Sequence, residues 1–193
     1  PIYLRDNVNM IVIPTLNIDG FLQTQRYPAL NYLETDVSFP STSPRDGRMR
    51  RKNMLNADED LYTDGDHLNG VDLNRNNNPY WATTTRSSSN PLSLVHHGAS
   101  PASEPEIQAL DFAAKLGPGD RLRLYTDVHS FSLVHFWVKN RNNRLALQTS
   151  QVLGIFSDHH ETLPGNKRYY FASSGSVAQD QGIGTTDEYF THL

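Results

Sequence analysis

The chain has 193 residues, 37% hydrophobic and 20% charged, the makeup of one globular domain able to bury a substantial core. A net charge of -4 and a pI near 6.0 argue against a general nucleic-acid surface, and no apolar run approaches transmembrane length. The absence of cysteine excludes disulfides and thiolate metal sites.

The sequence opens at Pro1 with no secretory leader in view, so it is expected to be processed, truncated or excerpted from a longer one. Val8-Asn9-Met10-Ile11-Val12-Ile13 is apolar, rich in β-branched residues and closed by Pro14, which predicts a buried strand. Asn17-Ile18-Asp19-Gly20 predicts a turn, since Asn and Asp bond nearby backbone. From Phe21 to Asn69 no periodicity is visible, and an irregular stretch of that length in a compact domain is usually functional or disordered. Arg45, Arg48, Arg50, Arg51 and Lys52 cluster inside it, giving local positive potential within an acidic whole and favouring function.

Gly70-Val71-Asp72-Leu73-Asn74-Arg75-Asn76 follows, with two apolar anchors set among a carboxylate, amides and a guanidinium. A planar guanidinium fork beside an amide suits recognition of a carboxylate. After a Ser/Thr-rich loop running to Asn90, Ser103 and Glu106 have capping-box spacing and Pro105 sits in the tolerated first turn of a helix. Ile107, Leu110, Ala113, Ala114 and Leu116 form its apolar face, and Gly117-Pro118-Gly119 stops it. Leu122 to Val128 predicts a second strand, with His129 directly after it, where an imidazole suits a metal or proton-transfer role. Ser132 to Val138 predicts a third strand, and a helix is expected from about Leu145 to Phe156. No internal repeat is present. Strands alternating with helices indicate an α/β domain with function in the loops that leave the strand ends.

Six motifs occur in order: Asn-x-Asp-Gly at Asn17, Arg-x-x-Arg-Lys at Arg48, Gly-Val-Asp-x-Asn-Arg-Asn at Gly70, Ser-Glu-Pro-Glu at Ser103, Asp-x-His-Ser at Asp127 and Tyr-x-Ala-x-x-Gly at Tyr170. Together they resemble the zinc metallocarboxypeptidases of the pancreatic carboxypeptidase A/B type, from about Val8 to Glu188. The resemblance implies a mixed, mostly parallel sheet flanked by helices, with the N-terminal part of the domain absent. It treats residues 1–193 as one partial catalytic domain, with a long irregular loop region at about 21–69. The implied reaction removes one residue from a peptide C-terminus, using one zinc ion.

By that resemblance His129 is the last zinc ligand, and Asp72 is the carboxylate that orients a zinc histidine. Asn74 and Arg75 hold the substrate's terminal carboxylate. Arg51 polarises the scissile carbonyl, and Arg48 lies further out along the groove. Tyr170 closes over bound substrate. Val177 falls near the base of the specificity pocket, where an apolar residue favours a neutral C-terminal side chain.

The family's first zinc motif, His-x-x-Glu, should precede the Val8 strand and does not occur. His96-His97 and Asp158-His159-His160-Glu161 sit where the family has no ligand and are read as solvated polar patches. For the general base, Glu188 in Thr-Asp-Glu-Tyr fits the local pattern, whereas His192 fits the spacing with the wrong side chain; Glu188 is the choice. The expected partner is a peptide or protein C-terminus, with no nucleic acid and no membrane, and the resemblance implies a secreted or periplasmic location. Two other functions remain open: an inactive relative that binds peptide C-termini, and a related zinc amidase acting on cell-wall peptides or acyl-amino acids.

Overall fold

The computed structural model describes residues 6–25, 50–57, 68–118, 122, 124–129, 134–137, 170–173, 185 and 190. Helix α1 covers Ile18–Thr24, a 3-10 turn covers Leu73–Arg75, and helix α2 covers Pro105–Ala114. Strands β1 and β2 cover Val134–Trp137 and Tyr170–Ser173.

Helix α1 begins where a turn was expected. The Asn17 side chain accepts the Gly20 N–H at 3.0 Å, and Asp19 lies in the first turn, so the same Asn/Asp chemistry caps a helix instead of reversing the chain. Residues 21–24, expected to open the irregular region, are thereby helical.

Helix α2 forms where its apolar spacing placed it. Pro105 stands at the first turn, and Ile107 and Leu110 are buried. The capping box does not form. Glu104 occupies the position before the helix without a side-chain cap, and the Ser103 hydroxyl donates to Glu104 Oε1 at 2.6 Å. Buried partners for both side chains outcompete the local cap. Leu116, expected on the apolar face, lies beyond the last helical residue and is exposed.

β1 lies inside the expected third strand and pairs with β2 in parallel, Val134 opposite Tyr170 and Trp137 opposite Ser173. A parallel pair needs a crossover connection. The helix expected between them, from about Leu145 to Phe156, lies outside the described residues.

Two other expected strands are not seen among the described residues: 8–13 and 124–128 carry no strand pairing there, and Met10, Val12 and Val128 are 79%, 67% and 88% exposed. Strand identity needs a neighbour to supply the ladder and cover the side chains. The described sheet consists of β1 and β2 alone. Tyr125 nevertheless stacks on Phe190, ring centroids 3.7 Å apart and planes at 10°.

Burial among the described residues is concentrated elsewhere. Val71, Leu73, Ile107 and Leu110 form a small apolar core, outnumbered by buried polar residues that include Lys52, Asn53, Asp72, Asn76, Asn77, His97 and Glu104. This polar interior is what sets the candidate site. No helix among the described residues is long and apolar enough to cross a membrane.

Candidate functional site

Two of the motif stretches lie side by side. The Asn53 N–H donates to Val71 O at 2.9 Å, and the Val71 N–H donates back to Asn53 Oδ1 at 2.7 Å. Gly70 permits this approach, because its φ is +104° and an added Cβ would collide with the Asn53 carbonyl oxygen. Asn53 Nδ2 donates to Glu104 Oε2 at 2.7 Å, so one side chain ties the arginine-bearing segment to the Gly70 stretch and to the start of α2.

The neighbours of Arg51 are anchored just as firmly. Arg50 Nη2 donates to the carbonyls of Asn53 at 2.9 Å and Asn69 at 3.1 Å. Lys52 was counted among the residues giving local positive potential, yet it is 2% exposed. Its Nζ donates to the carbonyls of Leu68, Pro91 (2.7 Å) and Ser93 (3.0 Å), and its own carbonyl accepts from Asn17 Nδ2 at 3.1 Å. An ammonium has three donors, and three carbonyls take them. Burial and then the Arg50 guanidinium push the Lys52 pKa from 10.5 down to about 8, with Asp72 acting in the opposite direction.

Asp72 is the electrostatic centre. Its Oδ2 accepts from Arg51 Nε at 2.9 Å and lies 2.7 Å from Arg51 Nη2, while Arg75 Nη1 stands 4.0 Å away. Its Oδ1 accepts the Asn74 N–H at 3.2 Å, capping the short turn that carries Asn74 and Arg75. Arg75 Nη1 donates to Asn74 O at 2.7 Å and its Nε to Arg86 O at 3.4 Å. The Asp72 side chain is 4% exposed against 32% for Arg51, so the carboxylate is enclosed and the Arg51 guanidinium reaches the solvent boundary. Two guanidiniums share one carboxylate, which leaves net positive charge beside it. Such a place suits an incoming carboxylate.

The pair His96-His97, expected to be a solvated patch, is structural. His97 is buried, its ring packed edge-on against Trp81 with centroids 4.6 Å apart, and its carbonyl accepts from Trp81 Nε1 at 2.7 Å and Asn76 Nδ2 at 2.8 Å. The His96 carbonyl accepts the Asp72 N–H at 2.9 Å, and its ring Nδ1 lies 3.1 Å from Ser88 O. Burial first, with the positive charge of Lys52 adding to it, lowers the His96 pKa below its ordinary 6.5. Strand-like contact between residues 88 and 96 and the indole of Trp81 bury His97 and leave His96 half-buried.

Asn76 closes the same network. Its Nδ2 donates to Ser100 O and Ser103 Oγ, each at 3.0 Å, its Oδ1 accepts the Glu104 N–H at 3.2 Å, and its carbonyl accepts from Ala102 at 2.7 Å. Asn76 and Glu104 were members of the sequence motifs without an assigned role, and Asn53 directly follows one. Their amide and carboxylate character inside otherwise ordered motifs was the available signal.

Arg51, Asp72, Asn74 and Arg75 are therefore brought together. His129 is placed apart in chemistry: its Nε2 lies 2.9 Å from Asp127 Oδ2, with the His129 side chain 57% exposed. An imidazole paired with a carboxylate is a suitable donor type for zinc. One donor is not a ligand set, however, and no cluster of three or more metal-binding side chains occurs among the described residues. Those residues do not fit a complete zinc site. Tyr170 opens β2, paired with Val134. Arg48, Val177, Glu188, His192 and the 158–161 patch lie outside the described residues.

The chain as a whole has relatives among known proteins. The zinc carboxypeptidase family profile matches residues 3–191, and the chain belongs to that family. Carboxypeptidase B of Bos taurus is 29% identical over 192 residues, covering 92% of this chain and 39% of its own length. The crystal structure of carboxypeptidase A from Helicoverpa armigera superposes with a TM-score of 0.65 at 27% identity, over 93% of this chain and 38% of that one. Thrombin-activatable fibrinolysis inhibitor has the same fold at 23% identity, with a TM-score of 0.62 over 94% of this chain and 39% of its own. The chain thus spans about two fifths of the length of these relatives.

Proposed function

We propose that residues 1–193 form one partial catalytic domain of a zinc-dependent carboxypeptidase that hydrolyses the C-terminal peptide bond of peptides or proteins. The observation carrying this reading is the enclosed Asp72 carboxylate with Arg51 on its Oδ2 and Arg75 beside it, in a chain of the zinc carboxypeptidase family. Arg75 and Asn74 receive the substrate's terminal carboxylate, with Arg48 further along the groove. Arg51 donates to the scissile carbonyl oxygen as negative charge develops there. Asp72, by the family resemblance the carboxylate that orients a zinc histidine, also holds Arg51. Tyr170 covers bound substrate, and Val177 borders a pocket for an apolar side chain. Glu188 takes a proton from the attacking water and passes it to the leaving amine. His129 serves as one ligand of a zinc ion, which when bound supplies Lewis-acid polarisation and a more acidic water. By the same family likeness the protein works outside the cytoplasm, secreted or periplasmic.

The test compares the intact protein on two otherwise identical peptides, one with a free C-terminus and one amidated. The free peptide is expected to be cleaved and the amidated one spared. Arg75→Ala is expected to raise KM for the free peptide by about 10-fold to 100-fold, the loss of a hydrogen bond to a charged group. Equal hydrolysis of the two peptides would overturn the reading.

A further inference from the structure

Arg51 reaches the solvent boundary from a segment with little regular structure of its own, since residues 50–53 belong to neither helix nor strand. Its direction must therefore come from what holds the residues around it. Asn53 makes the most far-reaching of these attachments: it brackets Val71 through backbone and side chain, and it reaches Glu104 across 51 positions of sequence. Glu104 is itself 3% exposed, with Oε2 taking Asn53 Nδ2 and Oε1 taking the Ser103 hydroxyl at 2.6 Å. The residue adjoins α2, whose Ile107 and Leu110 are buried, so the pair ties a loop to a packed helix.

From this we infer that Glu104 and Asn53 act as positioning residues for Arg51, holding its guanidinium against Asp72 and toward the reacting carbonyl. The inference rests on the role proposed for Arg51. Donor direction makes the pair specific. Asn53 Oδ1 is committed to the N–H groups of Val71 and Leu55, at 2.7 and 3.3 Å, which forces Nδ2 toward Glu104. Glu104 must then be an acceptor on both oxygens. A glutamine at 104 has one acceptor oxygen for two donors: keeping the Ser103 hydroxyl sets its NH2 against the Asn53 NH2, and turning the amide over takes Oε1 from the Ser103 hydroxyl. An aspartate at 53 would place a second carboxylate against Glu104. Changing both together, Asn53→Asp with Glu104→Gln, reverses the donor direction of this bond while those from Val71, Leu55 and Ser103 keep their sense. Net charge is unchanged.

Glu106 Oε2 also lies 3.3 Å from Asn53 Nδ2, so the series is built on Glu106→Gln, which relieves repulsion of an aspartate at 53. In the intact enzyme, each single change is expected to lower kcat by about 10-fold to 100-fold relative to that background, the effect of misplacing a catalytic group by roughly an ångström. KM moves little, because Asn74 and Arg75 are untouched. The double change is expected to recover kcat to within about threefold, and in an Arg51→Ala background the single changes should have no further effect. Rates are taken per active site titrated with a tight inhibitor, so a loss of folded protein does not count as a loss of kcat. Unchanged kcat in the singles, no recovery in the double, or an undiminished loss without Arg51 would overturn the inference while leaving the carboxypeptidase reading intact. If Arg51→Ala itself left kcat unchanged, the proposed role of Arg51 would fail, and the inference with it.

Discussion

Two regions of this molecule reverse the usual relation between hydrophobicity and burial. Residues 8–13 and 124–128 are the apolar runs, and Met10, Val12 and Val128 face outward. Residues 50–53, 70–77 and 96–104 are crowded with amides and charges, and Lys52, Asn53, Asp72, Asn76 and Glu104 are buried. Apolar side chains gain from burial only where a neighbouring surface covers them. Polar side chains can be buried at little net cost when every donor finds an acceptor, and leaving one unmade costs about 1–3 kcal/mol. The second region comes close to that condition through long-range bonds, Lys52 to three carbonyls and Asn76 to three acceptors among them, with Arg50 Nε the exception among its described side-chain atoms. Burial in this part of the chain follows extensive polar pairing more than apolar content.

The sharpest way to break that contrast is Gly70→Ala. The φ of +104° disfavours any side chain, and the new Cβ meets backbone, the Asn53 carbonyl oxygen, which cannot swing away. A loss of about 3 kcal/mol or more in unfolding free energy is expected from strain and overlap together, read by chemical denaturation. A cost below about 1 kcal/mol would mean that the two segments do not depend on this close approach.

A paired comparison comes next. Val71 is 0% exposed and Val12 67%, so Val71→Ala is expected to cost about 2 kcal/mol and Val12→Ala within about 0.5 kcal/mol. Equal costs would erase the difference between the regions.

The smallest effect per step is electrostatic. Lys52 releases its proton at about 8 in the fold and at 10.5 when unfolded, so between those values the unfolded chain binds the extra proton. Its contribution to stability is therefore flat below pH 8 and rises with pH across that window, by up to about 1.4 kcal/mol per pH unit. Denaturation curves from pH 7 to 10.5 should carry this rise, and Lys52→Met should remove it. An unchanged slope in the variant would place the titration elsewhere.

Some of this was legible without coordinates. The Pro105 helix with Ile107 and Leu110 inward followed from spacing alone, because a helix is a local object whose start signal and apolar stripe lie within a few turns. The strand at Val134–Trp137 falls inside the stretch Ser132 to Val138 expected to be one. Family membership followed from motif order, which composition could not have supplied. The grouping of Arg51, Asp72, Asn74 and Arg75 was anticipated as chemistry but not as geometry: that Arg51 takes Asp72 Oδ2 across 21 positions is a tertiary fact.

What the sequence by itself determined is the set of groups available and the local elements whose signals are contiguous: the α2 stripe, the Asn17 side chain that bonds its own backbone, and the guanidinium–amide pair at Asn74-Arg75. Only the tertiary structure decided which of these groups are enclosed. Asn17 became a helix cap instead of a turn, His97 became an interior side chain with His96 half-buried beside it instead of a solvated patch, and Lys52 became a buried crosslink. The reason is physical. A polar side chain is equally at home in water or among carbonyls, and the choice is made by partners tens of residues away, which no local pattern specifies.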